Sequence, residues 1–262
     1  MSAINTLQLA QVRPFIDHIK QRSPLIHCIT NDVVQNFTAN VLLAIGASPA
    51  MVIAEQEVAT FAQIASGLLI NVGTIHSSSA QSMLLAAASA QQNQTPWVLD
   101  PVAIGPALAY RSEIVQQLLA FKPTVVRGNA SEILALNGET TSAKGPDGQD
   151  STESALNAAK KQALKHQTII AITGGIDYIT NGTETYSIKG GDITLTKITG
   201  TGCSLSAMVA AFIAGSTNPL LAAASACFMM KKAGELANKH QGLGTYSVSL
   251  LDKLSLFNSL YV

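Results

Sequence analysis

The chain has 262 residues, of which 47% are apolar and 12% charged, and its 16 basic residues balance its 16 acidic ones. The chain is neutral overall, and its longest run of basic residues is Lys231-Lys232. Because binding to nucleic acid or to an anionic membrane needs clustered cations, neither is expected as a partner. Its charged share is about half of what soluble domains usually carry, which suggests that part of the surface is buried between subunits.

Short apolar runs alternate with longer helical patterns over the first two thirds of the chain. The runs that predict strands are 25–29, 50–53, 68–72, 97–99, 124–126 and 168–172, and the patterns that predict helices are 33–45, 58–66, 78–91, 112–121, 131–136 and 153–165. Continuously apolar strands are buried on both faces. The alternation therefore predicts a mostly parallel sheet with helices on both sides.

After Thr173 the pattern changes. Two apolar runs, 178–180 and 184–188, flank Asn181-Gly182, which is a strong signal for a β-hairpin. Residues 193–197 predict one more strand, and long helices are expected to begin at Ser204, Pro219 and Ser247. We expect an α/β layer sandwich with an antiparallel edge.

The chain contains little that would divide it or direct it to a membrane. The stretch 137–154 is the one loop-like segment, and it lies between two helical patterns, so we expect one domain over residues 1–262. No apolar run approaches the roughly 18 residues of a membrane span, and the first 20 residues do not resemble a signal peptide. Three cysteines without C-x-x-C spacing indicate no disulfide framework. We expect a cytoplasmic protein.

Polar or glycine residues follow several of the predicted strands. They are Thr30-Asn31, Asp100, Arg127 and Thr173-Gly174-Gly175. Ligands of open parallel sheets bind beyond the carboxyl ends of the strands. Strand ends need loop residues in any case, but the joint occurrence of these residues favours a binding site at this edge.

The sharpest motif is Thr199-Gly200-Thr201-Gly202-Cys203 before a helical run. Two glycines at a helix entry let backbone N–H groups face one point, where the helix dipole adds positive charge, and this suits a phosphate. The motif matches neither the Walker A loop nor the dinucleotide fingerprint. From spacing alone, an ordinary glycine-rich helix entry explains it equally well.

Cys203 is expected in the first turn of that helix, where the dipole should lower the pKa of its thiol and allow it to act as a base or nucleophile. Cys28 and Cys227 are expected to be small buried hydrophobes. His27 lies within an apolar strand and is expected to be a satisfied core residue, and the five histidines show no zinc-ligand spacing.

Asn129 and Glu132 have the spacing of a helix-capping pair, which also presents a carboxylate at a strand end. Glu132 could hold Mg²⁺ directly or through water, and Asp100 could supply a second oxygen. Capping and metal binding are compatible. Arg127 offers a planar fork of donors that suits phosphate oxygens, although a surface ion pair would explain it as well.

Taken together, these segments resemble the hydroxyethylthiazole kinases of the ribokinase-like superfamily. The segments that carry the resemblance are His27-Cys28-Ile29-Thr30-Asn31, Gly46-Ala47-Ser48-Pro49-Ala50-Met51, Leu99-Asp100-Pro101-Val102, Arg127-Gly128-Asn129-Ala130-Ser131-Glu132 and Thr199-Gly200-Thr201-Gly202-Cys203. The resemblance spans nearly the whole chain from about Pro24. It implies a ribokinase-like three-layer α/β/α sandwich with a mostly parallel central sheet.

The resemblance also implies an activity and a set of site residues. The reaction is ATP-dependent phosphorylation of 4-methyl-5-(2-hydroxyethyl)thiazole with Mg²⁺, in thiamine biosynthesis or salvage, by a homotrimer with active sites at subunit interfaces. Cys203, Gly200 and Gly202 are expected to be catalytic, with Cys203 as the base where many superfamily members have Asp. The expected contacts are Met51 and Gly200 with the thiazole, Arg127, Thr173, Asn31 and Asn129 with ATP, and Glu132 and Asp100 with the metal.

Three other functions remain open from the sequence. The nearest is another kinase of the superfamily, such as a hydroxymethylpyrimidine kinase. A hydrolase or acyltransferase with Cys203 as nucleophile would need a histidine partner, and none is adjacent in sequence. A vitamin-precursor binding protein would hold the thiazole without turning over ATP.

Overall fold

In the computed structural model, which describes residues 4–138, 152 and 154–260, the strands form one nine-stranded sheet. The strands are β1 (Ile4–Thr6), β2 (Leu25–Ile29), β3 (Ser48–Ala50), β4 (Gly67–Asn71), β5 (Trp97–Asp100), β6 (Val125–Asn129), β7 (Ile169–Thr173), β8 (Asp177–Thr180) and β9 (Thr185–Ile188). Their order is β1-β9-β8-β7-β6-β5-β4-β2-β3. β2 to β7 pair in parallel, β8 is antiparallel to β7 and to β9, and β1 pairs in parallel with β9.

Helices cover both faces of the sheet. They are α1 (Leu9–Arg22), α2 (Gln35–Ile45), α3 (Glu55–Ile64), α4 (Ser77–Asn93), α5 (Ala109–Leu119), α6 (Ala130–Leu136), α7 (Leu156–His166), α8 (Thr201–Ile213), α9 (Pro219–Leu236), α10 (Leu243–Ser255) and α11 (Phe257–Leu260). One apolar cluster joins the sheet to α1, α2, α8, α9 and α10, and a second joins the other face to α3 through α7.

The strand sequences explain why the sheet is covered twice. Every residue of β4 and β5 is buried, and successive side chains of a strand point to opposite faces. Leu69 therefore belongs to the first apolar cluster, whereas Leu68 and Ile70 belong to the second. The predicted three-layer sandwich with an antiparallel edge is confirmed.

Two strand predictions were wrong. The run 50–53 was expected to be a strand, but β3 ends at Ala50. Beyond it, the carbonyl oxygens of Val52 and Ile53 hydrogen-bond to the side chains of His27 and Ser82 instead of to a neighbouring strand. The run 193–197 forms a 3₁₀ helix because the Asp192 carboxylate accepts from the Thr194 N–H at its start. Neither β1 nor α1 was predicted.

Helix starts also differ from the predictions. α8 begins at Thr201 rather than Ser204, so Gly202 and Cys203 are inside its first turn, and α10 begins at Leu243 rather than Ser247. Within the predicted loop 137–154, residues 139–151 and 153 lie outside the described residues. In the described part of the chain, every helix is too short or too polar to cross a bilayer.

Candidate active site

The carboxyl ends of the parallel strands bring most of the expected site residues to one edge of the sheet. Asn71 at the end of β4 is in register with Asp100 at the end of β5, and Asn129 at the end of β6 with Thr173 at the end of β7. Asn31 is the second residue after β2. Parallel pairing places these side chains at a common height, as the rule for open parallel sheets predicts.

Arg127 connects the strand ends with the glycine-rich helix entry. Its Nη2 donates to Thr173 Oγ1, and its Nη1 lies 4.0 Å from Asp100 Oδ2. Gly202 lies against the same guanidinium, since a Cβ on this glycine would be 2.9 Å from Arg127 Nη1. The first turn of α8 and the arginine therefore face one another across a space that accommodates no side chain at position 202.

Gly200 gives the helix entry its shape. Its φ of +93° lies in the left-handed region that glycine adopts without strain. A Cβ there would also lie 3.0 Å from Val34 Cγ1 and 3.4 Å from Phe37 Cδ1. Met51 and Phe37 pack against the same apolar cluster. The entry to α8 thus adjoins an apolar region on the face that α2 and α8 cover.

The expectation that the helix dipole lowers the pKa of Cys203 was wrong. Burial raises the pKa of the thiol to about 12, the nearby Asp100 carboxylate raises it further, and Arg127 opposes both. Burial outweighs the dipole because the sulfur has little water around it. Asn31 Nδ2 donates to Cys203 Sγ at 3.5 Å, and none of the five histidines hydrogen-bonds to this sulfur in the part of the chain that the structure describes.

Glu132 and Asn129 cap α6 reciprocally. Asn129 Oδ1 accepts from the Glu132 N–H at 2.9 Å, and Glu132 Oε2 accepts from the Asn129 N–H at 2.8 Å. Glu132 Oε1 accepts from the Ala103 N–H at 2.9 Å, which fixes the loop after β5. Both carboxylate oxygens therefore have one hydrogen bond each and keep further acceptor capacity.

Asp100 and Glu132 are both buried, and the negative charge of one disfavours ionisation of the other. Burial raises the pKa of Asp100, with Arg127 and the hydroxyl of Ser206 acting against it. Burial also raises the pKa of Glu132, and the charge of Asp100 raises it further. Ser206 donates to Asp100 Oδ2 at 2.8 Å, while Asp100 Oδ1 has no partner among the described residues.

Buried polar atoms without a partner concentrate at this edge of the sheet. Within the described ranges, they include Thr30 Oγ1, Asn71 Nδ2, Asp100 Oδ1 and Arg127 Nε. Such atoms are rare in folded proteins once water is counted, so this edge of the sheet offers polar atoms to water or to a bound ligand.

Comparison with known proteins agrees with this geometry. The model of the hydroxyethylthiazole kinase family matches residues 16–259. The hydroxyethylthiazole kinase of Leptospira interrogans serovar Lai is 52% identical over 245 residues, which cover 93% of this chain and 92% of that protein. The chain belongs to the hydroxyethylthiazole kinase family. The resemblance expected from the motifs is confirmed, and so is the phosphotransferase class of enzyme.

Solved structures support membership in the hydroxyethylthiazole kinase family. The hydroxyethylthiazole kinase protein from Pyrococcus horikoshii OT3 has a TM-score of 0.85 at 35% identity, covering 94% of this chain and 93% of that one. A ribokinase-like superfamily protein from Enterococcus faecalis V583 has a TM-score of 0.68 at 16% identity, covering 100% of this chain and 93% of that one. The second likeness shows the fold alone.

Several residues at the site of this hydroxyethylthiazole kinase family member were missed from the sequence. Asn71 was counted as part of an apolar strand, yet its Oδ1 accepts from Asn31 Nδ2 and from the Gly73 N–H, both at 3.0 Å. Ser206, the partner of Asp100, lies in an apolar helix. A lone asparagine closing a buried strand was the available signal, whereas nothing in the sequence sets Ser206 apart from other small helix residues.

The remaining predictions about single residues have mixed outcomes. Cys28 and Cys227 are buried, as expected. His27 is buried and its Nε2 lies 2.7 Å from Val52 O, but its Nδ1 has no partner among the described residues, so it is only half satisfied. Arg127 is not a surface ion pair, because only 11% of its side chain is exposed.

Proposed function

We propose that the protein transfers the terminal phosphoryl group of ATP to the hydroxyl of 4-methyl-5-(2-hydroxyethyl)thiazole, in thiamine biosynthesis or salvage. The observation that carries this proposal is the contact between Gly202, in the first turn of α8, and the Arg127 guanidinium, beside Asp100 and Cys203. A helix N-terminus, a guanidinium, a carboxyl group and a cysteine sulfur thus lie together in a chain of the hydroxyethylthiazole kinase family.

Arg127 and Thr173 are the proposed contacts with the ATP phosphates. Their mutual hydrogen bond orients the guanidinium, and Arg127 Nε is still without a partner among the described residues. A planar guanidinium presents two parallel donors to phosphate oxygens. Asn129 and Asn31 are the further proposed contacts with ATP, at the ends of β6 and β2.

The start of α8 is the proposed place where charge on the transferring group is stabilised. The first N–H groups of a helix have no partner within the helix, and the macrodipole makes that end positive. Gly200 and Gly202 leave these groups accessible because neither carries a side chain. Phosphoryl transfer depends mainly on such alignment and charge stabilisation.

Asp100 and Glu132 are the residues that fit a magnesium ion. Asp100 Oδ1 is buried without a partner among the described residues. Glu132 is a second buried carboxyl group, and the two negative charges repel each other unless a cation neutralises them. Among the described residues, no three His, Cys, Asp or Glu side chains are placed so that they could hold a metal ion together. Mg²⁺, however, usually takes only one or two carboxylates together with substrate phosphates. Bound there, the ion would neutralise phosphate charge.

Cys203 is the proposed acceptor of the proton from the substrate hydroxyl. The hydroxyl oxygen forms a bond to the γ-phosphorus of ATP as the bond from that phosphorus to the β,γ-bridging oxygen breaks and ADP leaves. The hydroxyl proton moves to Sγ, so the sulfur must begin as a thiolate. Arg127 favours the thiolate, and the amide of Asn31 donates to the sulfur. General-base help of this kind contributes roughly 10²- to 10⁴-fold to the rate.

Met51 and Gly200 are the proposed walls of the thiazole site. Met51 packs against the same apolar cluster as Phe37, and a Cβ on Gly200 would lie 3.4 Å from Phe37 Cδ1. A neutral, partly apolar ring needs such a surface rather than a charge.

We also propose that the whole chain, residues 1–262, is one kinase domain and assembles as a homotrimer with active sites at subunit interfaces. One sheet runs from β1 to β9, and the family match covers residues 16–259. Exposed apolar side chains near the site support burial between subunits: Val33 is 68% exposed and Ile53 is 52% exposed. The cytoplasmic location stays a prediction from the sequence.

The choice of alcohol is tested by comparing kcat/KM for the thiazole alcohol and for hydroxymethylpyrimidine, with ATP and Mg²⁺. We expect the thiazole alcohol to be preferred by at least about 100-fold, since its ring fits an apolar wall. A preference for the pyrimidine would reassign the protein within the superfamily. Turnover of an acyl substrate without ATP would point to Cys203 as a nucleophile instead.

A further inference from the structure

Lys231 of α9 is a buried cation that the proposed mechanism does not use. Only 8% of its side chain is exposed. Its Nζ donates to Gly174 O at 2.8 Å, to Gly175 O at 3.2 Å and to Gly190 O at 3.2 Å, and lies 3.2 Å from Asp177 Oδ1. Three carbonyls and one carboxylate thus surround a single ammonium group.

The carbonyls belong to the turn that follows the proposed nucleotide contact. Gly174 and Gly175 come directly after Thr173, whose hydroxyl accepts from Arg127. Asp177 also holds this turn, because its Oδ1, which lies beside Lys231 Nζ, accepts from the Gly174 N–H at 2.9 Å. Lys231, the Gly174–Gly175 turn, Thr173 and Arg127 therefore form one connected series of contacts.

The two glycines of the turn differ in their surroundings, because a Cβ at Gly174 would lie 2.7 Å from Thr152 Cγ2. A Cβ at Gly175 would meet nothing within 4 Å. In a trans peptide the N–H points away from the C=O, so drawing the Gly174 and Gly175 carbonyls to Lys231 turns the following two N–H groups outward. An outward pair of N–H groups beside Thr173 suits an anionic ligand.

We propose that Lys231 and Asp177 are positioning residues for the nucleotide, holding the Gly174–Gly175 turn so that Thr173 and its N–H neighbours meet the ATP phosphates. This rests on the proposed function. Lys231 itself does not touch ATP. It acts by fixing the two carbonyls, and thereby the orientation of the peptide groups on the opposite side.

The test compares Lys231→Ala with Lys232→Ala, which removes the neighbouring, more exposed lysine. We expect Lys231→Ala to raise the KM for ATP at least about tenfold, as loss of charge-assisted hydrogen bonds does, and to change the KM for the thiazole alcohol less than about threefold. Ethylammonium chloride should restore part of the ATP affinity of Lys231→Ala, because the small cation can occupy the vacated space. Sodium chloride at equal ionic strength should not restore the ATP affinity. Lys232→Ala should have the same KM values for ATP and for the alcohol as the unmodified protein.

If Lys231→Ala fails to fold, the double change Lys231→Met/Asp177→Asn is measured in the same way, since it leaves no unpaired buried charge. A folded variant with an unchanged KM for ATP would overturn the positioning role, as would equal increases in both KM values without rescue by ethylammonium. Failure of the proposed function is separate, because the unmodified protein would then release no ADP in response to the alcohol.

Discussion

Cys203 lies between a cation that stabilises its thiolate and a carboxylate that opposes it. Burial and Asp100 raise the pKa of the thiol to about 12, while Arg127 lowers it. At neutral pH the sulfur of the free protein is therefore a thiol. A base that is mostly protonated gives a rate that depends on pH in a defined direction.

We predict that kcat of the unmodified protein rises with pH between about pH 7 and 9. At any pH below the pKa of the thiol, an increase of one pH unit raises the thiolate fraction about tenfold. Cys203→Ala should lower kcat by about 100-fold or more and abolish this rise. Cys203→Asp should retain substantial activity with a flatter profile, since the ordinary pKa of a carboxyl group lies far below that of a thiol. Steady-state kinetics at saturating ATP measure all three, and wild-type activity in Cys203→Ala would rule the base out.

Asp100 is a residue whose ionised form is unfavourable in the fold, since burial raises its pKa. The folded state therefore binds the proton more tightly than the unfolded chain, and the cost of the charge is fully present above the raised pKa. We predict that Asp100→Asn increases the free energy of unfolding at pH 8, while activity falls sharply. The gain should shrink as the pH is lowered and disappear below the ordinary pKa of aspartate.

Asp192 provides the matched control for this stability measurement. Hydrogen bonds from Lys239 and Thr194 lower the pKa of its carboxyl group, so the folded state favours the charged form. Asp192→Asn should therefore destabilise the protein at pH 8, opposite in sign to Asp100→Asn. Urea unfolding at pH 8 and pH 5 compares the two, and equal signs would contradict the assigned causes.

At the scale of elements, we expect a substitution in the first turn of α8 to affect helix stability and activity in opposite directions. Gly202 is inside the helix, where alanine is favoured over glycine by roughly 0.5–1 kcal/mol. A methyl group there would displace Arg127, because its Cβ would lie 2.9 Å from Nη1. We predict that Gly202→Ala keeps or raises Tm and lowers kcat/KM for ATP by at least about tenfold.

Gly244 of α10 offers the matched control, since a Cβ there meets nothing within 4 Å. Gly244→Ala should raise Tm slightly and leave both kinetic constants unchanged. If Gly202→Ala has full activity, or if both variants lose activity equally, the contact between α8 and Arg127 is not part of the site.

The elements that were predicted well are those whose apolar pattern decides the structure. β2 was predicted with its exact bounds, and β4 to β7 within one to three residues, because these strands are buried on both faces. The 3₁₀ helix Ile193–Lys197 was missed because a side-chain cap from Asp192 overrode the strand-like sequence. β1 depends on pairing with β9, some 180 residues away, which its own three residues do not encode.

At the scale of the whole molecule, the sequence indicated which edge of the sheet carries the site. It did not indicate which helix residues contact the strand ends there. Asp100, Arg127 and Gly202 were expected at a common site from the strand-end rule and the glycine motif. The partners Ser206 and Lys231 come from α8 and α9, which pack against the sheet only after folding. Their contacts depend on distances between elements, which a local pattern does not contain.

Assembly is the second property of the whole molecule. The resemblance to the hydroxyethylthiazole kinases implies a homotrimer, so we predict a mass of three times 27.3 kDa by light scattering. Exposed apolar side chains such as Ile53 support burial of this surface between subunits. Ile53→Glu should lower the mass and the activity together. A monomeric mass with full activity would contradict interfacial active sites.

The most direct measurement for the account as a whole is ADP formation by the purified protein with ATP and Mg²⁺, in the presence and absence of the thiazole alcohol. We predict ADP release that depends on the alcohol, with one phosphorylated thiazole formed for each ADP. ADP release that is indifferent to the alcohol, or none at all from folded protein, would contradict it.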